Sequence, residues 1–241
     1  MNIIDDLLAS LHEDAPIRAI LTGVHWTAVC SRYCGLASTI LGEKPHGHDR
    51  VRQVGSLHTL NARELAEFAR SDNLLEASLG VAAINSLLEV DEKTAVEINA
   101  LEVLLEHGPG KPVVVVGHFP FIPKLRQAVG ELFVIERHPL AGEYPPEAAE
   151  KLIPQAEVVA ITGSALINHT LDGLLNLCQP SAMVLVLGPS TPLSAVLFDH
   201  GADIISGTRV LDEASALRTI SQGATFQQVE GVKLLTLADE K

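Results

Sequence analysis

Positive charge is in short supply in this chain. Seventeen Lys and Arg stand against 30 Asp and Glu, a formal charge of -13 over 241 residues. A balance this acidic argues against phosphate backbones and anionic membranes as default partners, so neither nucleic acid nor membrane is expected. Aromatic residues make up only 4%, too few for the stacking platforms that hold single-stranded nucleic acid. No apolar run reaches the roughly 18 residues needed to span a bilayer. The stretch Met1–Asp14 carries acids without the basic cluster of a signal peptide. Three cysteines do not make a disulfide framework in a chain this long, which points to a reducing, cytoplasmic setting. Charged residues are 20% and hydrophobic ones 47%, so disorder is excluded and a sizeable core is available.

Several chemical signatures are missing too. There is no Gly-x-Gly-x-x-Gly turn and no P-loop lysine, which disfavours an NAD-dependent oxidoreductase. Thr162-Gly163-Ser164 is a strand-to-helix turn, but no glycine follows Ser164 where a nucleophile elbow needs one. His-Glu-x-x-His and Cys-x-x-Cys are absent. Cys30 and Cys34, with His46, His48, His25 and His58 near in sequence, could form a soft metal site. The plainer reading is two small core hydrophobes and a solvated His-x-His loop.

What is present divides into two blocks. In the first, residues 1–100, Ile3, Ile4, Leu7, Leu8 and Leu11 form a helical stripe that Pro16 ends. Short strand patterns follow from Ile17 to about Ile40, with turns at Gly23 and Gly35. Gly42–Gly55 reads as loop. Asn61 caps a helix to Arg70 with Glu64 at the capping-box position. Ser71 or Asp72 caps an apolar helix through Leu79, Ala83 and Leu87, and a third helix, Glu97–His107, stops at Gly108-Pro109-Gly110. The block reads as α+β.

The second block, residues 101–241, alternates. Apolar runs at Val113–Val116, Leu132–Ile135, Val158–Ile161, Met183–Leu187 and Asp203–Ser206 fit strands buried on both faces of a parallel sheet. Helix-length segments separate them: Pro120–Val129, Glu147–Leu152, Asn168–Cys178 and Leu193–His200, with Glu213–Ile220 after the fifth. Strand alternating with helix five times is the doubly wound, Rossmann-like signature, with ligands expected at the strand C-terminal ends. Those ends carry Gly117-His118-Phe119-Pro120, Glu136-Arg137-His138-Pro139, Thr162-Gly163-Ser164 with Asn168-His169-Thr170, and Gly188-Pro189-Ser190-Thr191-Pro192. Such residues also make ordinary turns and caps; four such loops on one edge favour a site. Glu136 lies about 20 residues after Gly117, where an acid accepts from ribose hydroxyls in Rossmann-type domains; an acid paired with Arg137 or Lys124 is the equal alternative.

These motifs, with Glu136, Pro139 and Gly142, resemble the family described as "putative heavy-metal chelation". Trp26-Thr27-Ala28-Val29, Gly35-Leu36-Ala37 and Ser78–Asn85 extend the resemblance over nearly the whole chain. It implies an enolase-N-terminal-like α+β domain joined to a Rossmann-like domain, with a cleft between them. It also implies heavy-metal handling, or condensation and hydrolysis of pterin-, flavin- or siderophore-like compounds. Carried over residue by residue, the cleft positions are Asn85, Gly117, Phe119, Glu136, Thr162, Ser164, Asn168, Thr170, Ser190 and Thr191. His118 departs from the family pattern, which has an aromatic there. The enolase likeness carries no activity, since enolase's metal-binding acids lie in a barrel this chain lacks.

Two classes of function follow. In the first, the cleft handles a small polar molecule, with Glu136 positioning a hydroxyl or cation and His169, then His118, as general base. In the second, a non-enzymatic protein binds a metal or metallophore through Glu136, His118, His138 and His169, or through the Cys30/His46 group. A transition metal is the candidate cofactor, and the reaction type stays open. Asn85, in an otherwise apolar helix, needs a buried partner, which the facing cleft supplies. Two-fold dimers are the commonest soluble assembly, so a homodimer is expected.

Overall fold

The computed structural model describes residues 2–42, 50–90, 95–97 and 100–239. Helix α1 (Ile3–Ser10) is capped by the Asn2 side chain, which accepts from the Asp5 N–H, and buries Ile3, Ile4, Leu7 and Leu8. It ends well before Pro16, so the proline is not its terminator. Strands β1 (Ala19–Thr22), β2 (Trp26–Cys30) and β3 (Cys34–Ser38) form an antiparallel meander. Helix α2 (Ala62–Ala66) runs on as a 3-10 turn to Arg70. The Asn61 N–H donates to Glu64 Oε2 at 2.8 Å, as the capping-box spacing predicts.

Helix α3 (Leu74–Leu87) is capped by Asn73, not by Ser71 or Asp72: its side chain accepts from the N–H groups of Leu75 and Glu76. It is buried on nearly every side, which its lack of a polar stripe requires. Two glycines create the clearance. A Cβ on Gly35 of β3 would lie 2.2 Å from the Ala82 carbonyl oxygen. A Cβ on Gly80 would lie 1.9 Å from the Ala69 nitrogen.

The second block contains α4 (Ala100–His107), β4 (Pro112–Val116), α5 (Ile122–Ala128), β5 (Glu131–Ile135), α6 (Ala149–Leu152), β6 (Val158–Thr162), α7 (Leu171–Asn176), β7 (Met183–Leu187), α8 (Val196–Asp199), β8 (Ile204–Val210), α9 (Glu213–Ser221) and β9 (Val232–Ala238). Sheet order is β5-β4-β6-β7-β8-β9. β4 to β8 are parallel, while β9 runs antiparallel to β8. The fold is therefore the expected α/β class, with a small antiparallel sheet and a six-stranded, mostly parallel one. Two details differ from the sequence reading. β9 ends the sheet, with a bridge to Val96 on its outer side, and its uneven burial pattern means that it lacks the apolar run that betrayed its neighbours. The helices after β6 and β7 are shorter than expected, because Asn168–Thr170 and Pro189–Ser194 are spent on turns.

Cys30 and Cys34 also differ. They are cross-strand partners closing the β2–β3 hairpin, both buried, and form a disulfide. They are neither free hydrophobes nor open metal ligands, and the inference of a reducing compartment loses its footing.

The two sheets share one continuous core, which runs from Ile3 and Leu7 through Val81 and Ile84 to Val186 and Ile205. Polar links cross the same seam. The Ile3 N–H donates to Asp172 Oδ1 at 3.0 Å, His200 Nε2 meets Asp6 Oδ2 at 2.8 Å, and Arg18 pairs with Glu213. Because the Gly35 clash is with backbone, Gly35→Ala is expected to cost at least the roughly 1–3 kcal/mol of an overpacked core. Urea unfolding of the purified variant measures it.

Candidate functional site

In sheet order the parallel strands follow the flavodoxin-like pattern, whose switch point falls between β4 and β6. Connections leave in opposite directions there, and a crevice opens at the strand C-terminal ends. The crevice belongs to a cavity of about 2090 Å³, lined from the second block by the four strand-end loops and from the first by Trp26 and Ser38–Leu41.

Glycine shapes its floor. Gly117 has φ +107° and Gly188 φ +111°, conformations that other L-residues rarely adopt. A Cβ on Gly117 would lie 3.0 Å from Thr162 Cβ and 3.3 Å from the Phe119 ring; one on Gly188 would lie 3.9 Å from the same ring. Phe119 thus rests between the tips of β4 and β7, and stacks on Phe121 with centroids 5.0 Å apart.

Two imidazoles stand on the cavity wall in fixed orientations. His118 Nδ1 lies 2.7 Å from Glu143 Oε1, while Glu143 Oε2 accepts the Leu140 N–H at 2.9 Å. The Leu140 amide, joined by His118, holds the Glu143 carboxyl below the usual carboxylate range. Glu143 is therefore an acceptor at neutral pH, so Nδ1 donates to it and Nε2 remains for another partner. His169 has the opposite tautomer. Its Nε2 donates to the Ser71 carbonyl at 2.9 Å, leaving Nδ1 as the acceptor. His169 also sits at φ +60°, a left-handed conformation uncommon outside glycine and found often at functional sites.

The remaining sequence-nominated residues fall into two groups. Gly117, Phe119, Glu136, Thr162, Ser164, Asn168, Thr170 and Ser190 line the cavity with both histidines. Part of their polarity is used locally, as the turn interpretation expects. Thr162 Oγ1 and Ser164 Oγ are 2.9 Å apart, and Asn168 Oδ1 accepts from Thr170 Oγ1 at 2.7 Å. Glu136 Oε1 accepts the Arg137 N–H at 2.8 Å. Ser190 Oγ lies 3.1 Å from Ser38 Oγ and accepts the Ser38 N–H at 2.8 Å, which joins the two blocks across the cavity wall. Asn85 and Thr191 stand behind that wall, on a second, much smaller cavity. Asn85 Nδ2 does find the facing loop, donating to Ser190 O at 3.3 Å and to Leu36 O at 2.9 Å.

Sequence reasoning missed Ser38, Glu143 and Glu76. Ser38 closes a strand with no motif around it, and Glu143 is one acid in a polar loop. Glu76 is an acid in an apolar helix, the same signal that singled out Asn85. It is 3% exposed and accepts from the Arg52 N–H at 2.6 Å and from Ser71 Oγ at 2.7 Å. It thereby anchors the residue whose carbonyl orients His169.

Among the described residues the donor set does not fit a resident heavy-metal ion. Among the described residues no three His, Cys, Asp or Glu side chains group closely enough to hold one. Cys30 and Cys34 are spent on each other. Burial, with a smaller contribution from Asp203, pushes the Cys178 thiol up to about 11. His46 and His48 lie outside the described residues. No helix among the described residues is long and apolar enough to cross a membrane.

This arrangement, a small α+β unit closing over the switch point of a Rossmann-like sheet, defines a family. Two family models, both described as "putative heavy-metal chelation", match residues 4–88 and 99–238, and the chain belongs to that family. An uncharacterized protein of Methanocaldococcus jannaschii is 28% identical over 196 residues, covering 76% of this chain and 72% of its own length. A crystal structure of a DUF364-family protein of unknown function from Desulfitobacterium hafniense is 29% identical, with TM-score 0.87 and 98% of each chain covered. One from Pyrococcus horikoshii, at 19% identity and TM-score 0.81 over 98% of each chain, shares the fold.

Two outcomes follow from the geometry. Gly117→Ala forces a side chain into a positive-φ position beside Thr162 and is expected to destabilise by about 1–3 kcal/mol in denaturant unfolding. With its pKa near 11, Cys178 should resist thiol reagents at pH 8 in the folded protein and react at the ordinary rate once urea unfolds it.

Proposed function

We propose that the cleft takes up a small polar organic molecule of the metal-chelating kind and works on it by proton transfer, condensing or hydrolysing a pterin-, flavin- or siderophore-like compound. The observation that carries this reading is the pair of imidazoles lining the cavity, each held through one ring nitrogen by a hydrogen bond. A group so arranged removes a proton from a ligand hydroxyl or an attacking water without first reorienting. His169, tethered to a neutral carbonyl, is the general base. His118, backed by a carboxylate, suits the return of that proton. Glu136 and the Ser190 loop would hold hydroxyl or anionic groups, and Phe119 offers an apolar face to a flat ring. The metal, in this reading, arrives already chelated and is cargo.

The alternative, a non-enzymatic protein that binds bare metal ions, makes a different forecast. Thermal unfolding should be followed with a pterin, a flavin and a hydroxamate siderophore, each with and without iron, and with metal ions alone. A ligand at 100 times its dissociation constant stabilises by ~2.7 kcal/mol, or roughly 5–10 °C for a chain of this size. We expect that response from an organic compound. Stabilisation by bare ions and by none of the organic compounds would overturn the proposal.

Within the same reading, Glu136→Gln should keep the fold and weaken a hydroxyl-bearing ligand roughly 10- to 100-fold in titration calorimetry, the worth of a charge-assisted hydrogen bond. We further propose a homodimer, on the general prevalence of two-fold assemblies. A monomeric mass in light scattering would remove it.

A further inference from the structure

Behind the Ser190 loop lies a second cavity of about 10 Å³, lined by Asn85 of α3, Thr191 after β7, and Thr208 and Arg209 of β8. Three of its lining residues carry a buried oxygen with no hydrogen-bond partner among the described residues: Asn85 Oδ1, Thr191 Oγ1 and Thr208 Oγ1. Buried polar atoms are nearly always paired, so three unpaired oxygens on one small cavity point to a common ligand.

The orientation of Asn85 is chemically determined. Its Nδ2 donates to two carbonyls, Leu36 O and Ser190 O. A flipped amide would set oxygen against oxygen, so Oδ1 must be directed away from them. Thr191 is packed closely on two sides: a Cβ on Gly163 would lie 2.3 Å from Thr191 Oγ1 and 2.6 Å from its nitrogen, and one on Gly207 2.6 Å from its carbonyl oxygen.

We propose that this cavity is a binding site for one structural water molecule, which joins α3, the Ser190–Thr191 loop and β8. The volume is about that of one water-sized sphere, the lower limit for holding a water, and three polar partners fall within the two to four a buried water usually makes. A water donates to Asn85 Oδ1 and exchanges hydrogen bonds with two hydroxyls that rotate to suit it. A cation is disfavoured by Arg209 on the same wall, and an anion by the amide oxygen that only accepts. The water acts behind the main site. It completes the support of the loop whose Ser190 meets Ser38, and so helps to hold the two blocks in register there. This inference does not rest on the proposed chemistry of the cleft.

A crystal structure of the full chain, at a resolution that shows ordered water, tests it directly. The expected result is one density peak within roughly 2.7–3.2 Å of all three oxygens. Absent density, a direct bond between two of the three oxygens, or a peak with the anomalous signal of an ion would each overturn the proposal. Thermal unfolding of Thr208→Val supplies a second test whose sign is diagnostic. Loss of a water-bridging hydroxyl should lower Tm by roughly 2–4 °C, whereas a methyl replacing a dry, unsatisfied hydroxyl should leave Tm unchanged or raise it. Thr208→Ser, which keeps the hydroxyl, should retain the water peak; its disappearance there would count against the assignment.

Discussion

Helix α3 is the strut on which the candidate site depends. Its burial on nearly all sides is made geometrically feasible by Gly35 on one flank and by Gly80, on the helix itself, against Ala69 on the other. Both ends then reach the cavity. Near the N-terminal end Glu76 takes the Ser71 hydroxyl, and the Ser71 carbonyl takes the His169 ring. Near the C-terminal end Asn85 holds the Ser190 carbonyl. An acidic side chain in the first helical turn is also favoured by the helix dipole, which helps Glu76 tolerate burial. One apolar helix therefore sets the distance between a histidine and a serine loop that are both carried by the other block.

The parallel sheet supplies the second constraint. At the switch point between β4 and β6 the backbone must turn sharply while leaving room above the strand tips. Gly117 and Gly188 make those turns with positive φ, and the space that side chains would have taken is covered by the ring of Phe119. The floor thus carries an aromatic ring, and the walls mix polar loop residues with apolar ones such as Ile40, Leu41, Leu140 and Leu174. That combination suits a molecule with a flat face and several hydrogen-bonding groups better than it suits a naked ion.

Much of this was legible before any coordinates. Strands β4 to β8 announce themselves as apolar runs because most of their residues are buried; β9, with an uneven burial pattern, lacks such a run and was missed. The strand-end loops were legible because Gly, Ser, Thr and Asn cluster where a sheet meets its helices. Roles within those loops were not. Whether Thr162 faces a ligand or bonds Ser164 depends on one side-chain torsion, which no spacing rule reports. Glu143 and Ser38 became visible only through their partners, at sequence separations of 25 and 152 residues. The Cys30–Cys34 pairing was missed for a different reason: a count of three cysteines says nothing about two of them facing each other across a hairpin.

The family's description and the chain's own donor set can be reconciled by asking which party supplies the metal ligands. Heavy-metal ions select thiolates and clustered imidazoles. Here two thiols are locked in a disulfide and the third is half-buried and protonated. The cavity instead offers hydroxyls, amides, three imidazoles of which His118 and His169 are separately oriented, and the carboxylates of Glu136 and Glu150, and among the described residues no three of these group closely enough to hold an ion. These groups hydrogen-bond and move protons, which is what an organic chelator requires when it is made, broken or carried. In the function proposed above, metal is handled through the molecule that grips it. The precision of the site then lies in holding two blocks at a fixed separation, a task that α3 and the Ser38–Ser190 contact share.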